Sequence, residues 1–190
     1  GASGVFIHAF GSINGVLYRI DAETGTVVDE GSRLNSNGGT HGSIVYKNKT
    51  IFSDSTTIRA HDYPPSTQTG NIVSLLSVSN PQDAFRKFHI GPDRNLYATN
   101  ANSIARITSV TGLTDNVAQY ITFESGIETR SMDDDGVHLI IIGDHMPTGT
   151  QNIGGLNRCF VAFWNMKSQD LTRIWEFQDE RLFGVGAIED

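Results

Sequence analysis

Hydrophobic and polar positions along this 190-residue chain repeat as a hairpin pattern. Each hairpin has a β-rich run, a polar turn-former and a second β-rich run. The four hairpins are Val16–Val28, Thr57–Leu76, Ser103–Phe123 and Cys159–Phe177. Their turn-formers are Asp21, Asp62, Thr108 and Asn165, at successive spacings of 41, 46 and 57 residues. Because β-branched and aromatic residues favour strands and Asn and Asp favour turns, the pattern predicts an all-β chain of repeated units.

A repeat of roughly 40 to 50 residues is typical of β-propeller blades. We therefore predict an all-β propeller of about four four-stranded antiparallel blades, with the innermost strand first. The predicted blades are a composite of 182–190 with 5–31, followed by 43–78, 85–123 and 129–177. Pairing of the C-terminal strand Leu182–Ile188 with Val5–Phe10 would close the ring and remove its exposed edges. A fragment, or a half-propeller completed by another chain, is the alternative.

The fourth unit departs from the repeat. Asp133–Gly136 is predicted as a turn, since Asp and Gly accept turn conformations, and Val137–Gly143 as a buried strand. An insertion, Asp144–Asn157, then delays the next strand and accounts for the longest spacing.

Three segments resemble known propeller families. LYRIDAETGTVV (17–28) and FVAFWNMKSQDLTRIWEF (160–177) resemble the strand-turn-strand repeat of quinoprotein-type propellers, and HIGPDRNLYATNANSIARI (89–107) is similar to streptogramin-lyase and NHL-like blades. The resemblance implies that these segments pack as parts of propeller blades. The first family would also imply a quinone cofactor, but the chain lacks the stacking Trp and calcium-ligand set that such an enzyme needs. We therefore expect no cofactor, with a divalent cation such as calcium as the alternative.

Charge and composition limit the classes of partner that the chain is expected to bind. The net charge is −7 and no basic cluster occurs, which argues against nucleic-acid binding and against anionic membrane surfaces. No apolar stretch of roughly 18 residues is present, so no membrane insertion is expected. The single cysteine, Cys159, lies in an apolar run and is predicted to be a buried strand residue. The lack of disulfides fits several compartments, of which an extracellular, surface or virion-associated location is favoured over the cytoplasm.

The insertion supplies the first set of candidate functional residues. Insertions in repeat folds commonly map to the binding side, and this one carries polar side chains suited to a glycan or a protein loop. The candidate ligand-binding residues are Asp144, His145, Thr148, Gln151 and Asn152.

Polar ends of the inner strands supply the second set. His41, His89 and Asp134 are expected near the channel, with Asp133, Glu189 and Asp190 in comparable places. Imidazoles and carboxylates that converge on the axis could hold a divalent cation.

The sequence lacks a Gly-x-Ser-x-Gly elbow and a His-Glu-x-x-His zinc motif, so nucleophilic and zinc-protease chemistry have no support. The favoured hypothesis is a non-catalytic propeller that binds a protein or carbohydrate partner through loops on one face. The alternatives are a metal-dependent hydrolase or lyase at the channel mouth, and a structural subunit of a virion or surface assembly. The structural alternative predicts a homo-oligomer with the terminal strands at its interface.

Overall fold

A computed structural model describes residues 6–10, 16–33, 40–54, 56–62, 72–79, 85–145, 158–178 and 184–187. Its strands form one three-stranded and three four-stranded antiparallel sheets, each a meander of consecutive strands. Sheet I contains β1 (Phe6–Phe10), β2 (Val16–Asp21) and β3 (Val27–Arg33). Sheet II contains β4 (Thr40–Tyr46), β5 (Lys49–Asp54), β6 (Thr57–Asp62) and β7 (Val73–Ser77). Sheet III contains β8 (Phe85–Ile90), β9 (Leu96–Asn100), β10 (Ser103–Ile107) and β11 (Val117–Thr122). Sheet IV contains β12 (Ile127–Asp134), β13 (His138–His145), β14 (Arg158–Asn165) and β15 (Asp170–Gln178).

First strands of neighbouring sheets lie side by side, with β8 between β4 and β12. This is the arrangement of propeller blades around an axis, and it confirms the predicted all-β propeller. Since each sheet is a meander, its turns alternate between two faces. We call the face where β8 and β12 begin the top face and the face where they end the bottom face. Residues 101–102 and 123–126 turn at the top face, and residues 91–95, 135–137 and 166–169 turn at the bottom face.

The core lies between the sheets. Leu96 and Ala98 on β9 face sheet II, where they pack with Ile51 and Leu75 among others. Tyr97, on the opposite side of the same strand, faces sheet IV. Because side chains alternate along a strand, β9 contributes to both interfaces and all five of its residues are buried.

Tyr97 also anchors a turn at the bottom face. Its hydroxyl donates a hydrogen bond to Asp93 Oδ2 at 2.8 Å. The ring is completely buried, and burial, followed by the bond to Asp93 and its negative charge, raises the pKa of the Tyr97 hydroxyl well above its usual value. The hydroxyl is therefore a permanent donor that ties the 91–95 turn to the core.

Two expectations for the fourth unit were wrong. Asp133 and Asp134 do not lie in a turn: they belong to β12 and pair with Ile140 and Leu139. The turn occupies only residues 135–137. The preceding aspartates stay in the strand because their side chains find hydrogen-bond partners elsewhere at the bottom face, as described below. Likewise β13 continues through Asp144 to His145, so the insertion cannot begin at Asp144.

Closure of the ring by Leu182–Ile188 stays a prediction. Of that run the structure describes only residues 184–187, which carry no strand assignment. Within that stretch the Ala187 N–H donates a hydrogen bond to Asp133 Oδ2 at 2.5 Å. The C-terminal segment thus lies beside β12, the innermost strand of sheet IV, which is the neighbour that the closing strand would have. No helix long and apolar enough to cross a bilayer occurs in the described part of the chain.

Substitution of Gly143 by Ala should destabilise the fold. A Cβ at this position would collide with the Glu128 carbonyl oxygen and with the Phe160 ring, so two strands would have to separate. We expect Gly143→Ala to lower the free energy of unfolding by about 1–3 kcal/mol, measured by urea denaturation. Gly112→Ala is the matched control because nothing lies within 4 Å of its added Cβ. Equal midpoints for the two variants would contradict this packing.

Candidate functional site

An ionic network crosses from sheet III to sheet IV at the top end of the axis. Arg86 Nη1 on β8 lies 3.0 Å from Glu128 Oε1 on β12. Glu128 Oε2 also accepts a hydrogen bond from Arg130 Nη2 at 2.9 Å, and Arg130 Nε donates to Asp144 Oδ2 at 3.1 Å. Strand register explains the grouping, because Glu128 is directly opposite Asp144 and the register of β12 shifts at Arg130. Such irregularities re-aim a side chain.

The inner end of this network is buried, and its outer end is exposed to solvent. The Asp144 side chain is only 7% exposed, whereas that of Arg86 is 41% exposed. Asp144 therefore does not project into solvent as the insertion hypothesis assumed: it holds Arg130 in place below the top face.

His145 forms a second cluster at the top face, directly before residues 146–157. Its Nδ1 lies 2.8 Å from Glu176 Oε1 on β15, and its Nε2 lies 3.5 Å from Glu124 Oε1 in the 123–126 turn. Arg158 Nη1 approaches Glu176 Oε2 at 3.7 Å. The His145 side chain is 13% exposed and that of Glu124 is 68% exposed. The cluster thus offers an accessible carboxylate held beside an ordered imidazole. The other predicted ligand-binding residues, Thr148, Gln151 and Asn152, lie outside the described residues.

A cavity of about 440 Å³ opens between the outer parts of sheets II and III, next to the 101–102 turn. It is lined mainly by small, amide and hydroxyl side chains: Val78, Ser79, Asn100, Ala101, Asn102, Ser103, Val117, Ala118 and Gln119. Asn100 is 3% exposed, and its Oδ1 has no hydrogen-bond partner among the described residues. A buried carbonyl oxygen of this kind favours a donor, from water or from a ligand. This cavity is not among the sites predicted from the sequence, although the Asn-Ala-Asn run at 100–102 indicates a polar turn.

At the bottom end of the axis the structure brings His89 and Asp134 together, as the sequence analysis expected. His89 Nε2 lies 2.6 Å from Asp134 Oδ2, and His89 Nδ1 lies 3.9 Å from Asp133 Oδ1. The three residues offer one nitrogen and two oxygen atoms, all within 4.8 Å of one another. Backbone N–H groups already occupy much of this acceptor capacity, since Asp133 accepts from Asp134 and Ala187, and Asp134 accepts from Gly136.

The remaining axial candidates are incompletely described. His41 lies on β4 with its side chain outside the described part of the structure, and Glu189 and Asp190 lie outside the described residues. Cys159 is completely buried on β14, as predicted, so it is inaccessible to a substrate.

Comparisons with known proteins show the fold alone. No known family profile matches the chain, and no curated protein matches it. Among solved structures it is similar to the β-propeller domain of Swd1 from Myceliophteria thermophila, with 10% identity, a TM-score of 0.59, and coverage of 94% of this chain and 54% of that one. It is also similar to streptogramin B lyase, at 14% identity with a TM-score of 0.54, covering 97% of this chain and 73% of that chain.

A protein of unknown function from Bacteroides caccae shows the same kind of similarity, with 15% identity, a TM-score of 0.52, and coverage of 91% of this chain and 73% of that one. These similarities show that the chain has a β-propeller fold. The resemblance of residues 89–107 to lyase-type blades agrees with the structural similarity to streptogramin B lyase. This chain spans only 54% of the Swd1 propeller domain.

Removing the charge of Asp144 should destabilise the fold, because Arg130 would lose its most buried partner. Since Arg130 keeps Glu128, we expect Asp144→Asn to lower the free energy of unfolding by about 1–3 kcal/mol in urea denaturation. Asp62→Asn removes an exposed carboxylate that pairs with Lys49, and its unfolding midpoint should not change measurably. If both variants behave alike, Asp144 is not the structural anchor described here.

Proposed function

We propose that this chain is a non-catalytic recognition propeller that binds a protein or carbohydrate partner at its top face. The observation that carries the proposal is the set of ordered polar groups at that face. Glu124, Arg86 and Glu176 are accessible yet held by ion pairs on strands or turns, and the amide-lined cavity lies on the same side.

Rigidity supports binding by this face. Groups that are already ordered lose little conformational entropy when a partner docks, so more of the contact energy appears as affinity. Fixed charges of both signs also favour one partner orientation and reject others, which is the usual contribution of electrostatics to specificity. Residues 146–157, which lie outside the described residues, follow His145 directly in sequence.

Chemical considerations favour binding over catalysis at this face. Within the described residues the carboxylates of Glu128 and Asp144 are both engaged by Arg130, and the His145 imidazole is held by Glu176. A general acid or base needs a free position beside a reacting group. The ion pairs instead stabilise the charges that a binding surface presents.

The two partner classes can be separated by location on the top face. If the partner is a protein, it should contact the exposed charges, and Glu124→Gln should lower its affinity. If the partner is a glycan, it should occupy the cavity, and Gln119→Ala should lower its affinity. Leu113→Ala, at an exposed position of the loop between β10 and β11, is the control for both.

Replacing residues 146–157 with a short Gly-Ser turn should abolish partner binding while the unfolding midpoint stays near that of the unmodified protein. The expected loss follows because the segment is continuous in sequence with His145, and stability is retained because Asp144 and His145 remain on β13. Glycan binding is measured on a glycan array, and contact with a protein partner is measured by photo-crosslinking from position 124 at the top face and, as a control, from position 113. Crosslinking that is equally strong from both positions would refute binding at the top face.

A second candidate function, a metal-dependent hydrolase or lyase, draws on the bottom-end cluster. His89, Asp133 and Asp134 supply one imidazole and two carboxylates, a ligand set that divalent cations accept. The existing hydrogen bond between His89 and Asp134 would have to open for a cation to bind, so modest affinity is expected.

Calorimetric titration with Ca²⁺, Mn²⁺ and Zn²⁺ tests this second candidate. If the cluster is a metal site, one cation should bind with a dissociation constant of about 10⁻⁵–10⁻³ M, and His89→Ala should weaken it about tenfold or more. His138→Ala, which alters a comparable His–Asp pair at the bottom face, should leave the affinity unchanged. Absence of saturable binding for all three cations removes the metal-dependent alternative.

A further inference from the structure

A second cleft lies on sheet IV, near the bottom face and away from the proposed recognition surface. It has a volume of about 270 Å³ and is lined by Asp135, His138, Phe163, Thr172 and Arg173. We call it the Arg173 cleft. Register places its parts together, because Phe163 on β14 is directly opposite Arg173 on β15, and the 135–137 turn leads into His138.

Arg173 is held in place by an aromatic ring. Its guanidinium carbon lies 4.8 Å from the centroid of the Trp175 ring. The ring centroids of Trp175 and Phe163 are 5.6 Å apart in an edge-to-face contact. Within the described residues no carboxylate forms an ion pair with Arg173, unlike Arg59, Arg86, Arg130 and Arg158. A stacked guanidinium keeps its planar set of N–H donors ordered, and that geometry matches a carboxylate bidentately.

Asp135 provides an ordered acceptor on the other wall. Its Oδ1 accepts hydrogen bonds from the backbone N–H groups of Val137 at 2.9 Å and His138 at 2.6 Å, and its Oδ2 lies 3.0 Å from His138 Nδ1. Partial burial acts to raise the pKa of Asp135, but the bonds from His138 and Val137 outweigh it and lower the pKa below its usual value. The carboxylate is therefore ionised at neutral pH, and Oδ2, which has a single partner in the described part of the chain, retains acceptor capacity.

Phe163 supplies an apolar wall between these two polar groups. His138 meets the Phe163 ring edge-to-face at 6.0 Å, so the imidazole and the ring form one continuous surface. The cleft thus combines the guanidinium N–H donors of Arg173, the carboxylate acceptor of Asp135 and the apolar ring of Phe163. Its volume suits a ligand that consists of one small ring.

We propose that the Arg173 cleft binds a hexuronic acid residue, with the sugar carboxylate on Arg173, hydroxyl groups donating to Asp135, and the apolar side of the ring against Phe163. This site is separate from the top face and does not depend on the function proposed for it. A neutral sugar would leave the Arg173 donors without an anionic partner. An acidic peptide would bring carboxylates without hydroxyl donors toward Asp135, in a chain whose net charge is already −7.

Calorimetric titration at neutral pH and low salt, followed in parallel by tryptophan fluorescence, tests the proposal with methyl β-D-glucuronide. We expect saturable binding, and affinities for methyl β-D-glucoside and cyclohexanecarboxylate that are each weaker by about tenfold or more, because each lacks one of the two polar contacts. Binding should also change the emission of the exposed Trp175.

Substitutions in the Arg173 cleft test which side chains contact the glucuronide. Arg173→Lys keeps the charge but loses the planar fork, and it should weaken glucuronide binding about tenfold or more. Asp135→Asn should weaken it about threefold or more through loss of the ionised acceptor. Lys167→Gln, which removes one positive charge from the neighbouring 166–169 turn, should leave the affinity unchanged, and circular dichroism checks that each variant is folded.

Four results would overturn the proposal. They are absence of saturable glucuronide binding, equal affinity for the glucuronide and the glucoside, equal weakening by Lys167→Gln and Arg173→Lys, and tighter binding of a triglutamate peptide than of the glucuronide. The third would indicate general charge attraction, and the fourth would indicate an acidic peptide as the ligand.

Discussion

Burial of sheet III on both of its faces is the constraint on which the rest of the structure depends. Leu96 and Ala98 pack toward sheet II while Tyr97 packs toward sheet IV, so one strand fixes the positions of both neighbours. The inner strands β4, β8 and β12 are consequently brought side by side. Only this placement lets Arg86 on one sheet reach Glu128 on the next, and His89 reach Asp134.

The two ends of the axis therefore carry different chemistry on one scaffold. At the top, basic and acidic side chains alternate, and their charges neutralise one another within ion pairs. At the bottom, one imidazole faces two carboxylates, one of which also receives the Ala187 N–H. The difference arises from which residues begin and end β8 and β12, and it separates the proposed recognition surface from the proposed cation cluster.

Much of the fold could be predicted from the sequence because its signals are local. The bounds of β8, Phe85–Ile90, follow from a β-rich run that ends at the Gly-Pro-Asp turn. The strand assignment of Asp133 and Asp134 could not be predicted, because their partners His89 and Ala187 are distant in sequence and override the usual turn preference of Asp. The same reason hides the burial of Asp144: its partner Arg130 is identified only once the register of β12 and β13 is known. His89 and Asp134 could be placed near each other since both were assigned to inner-strand ends.

The meander topology has a consequence for the order in which the chain folds. Within the described residues each sheet consists of strands that are consecutive in sequence, so its strands pair with little closure entropy and can form successively during synthesis. The hydrogen bond between Ala187 and Asp133 is different, because it joins segments 54 residues apart. Because Asp133 belongs to β12, the C-terminal segment can form this hydrogen bond only once β12 has taken its place in sheet IV.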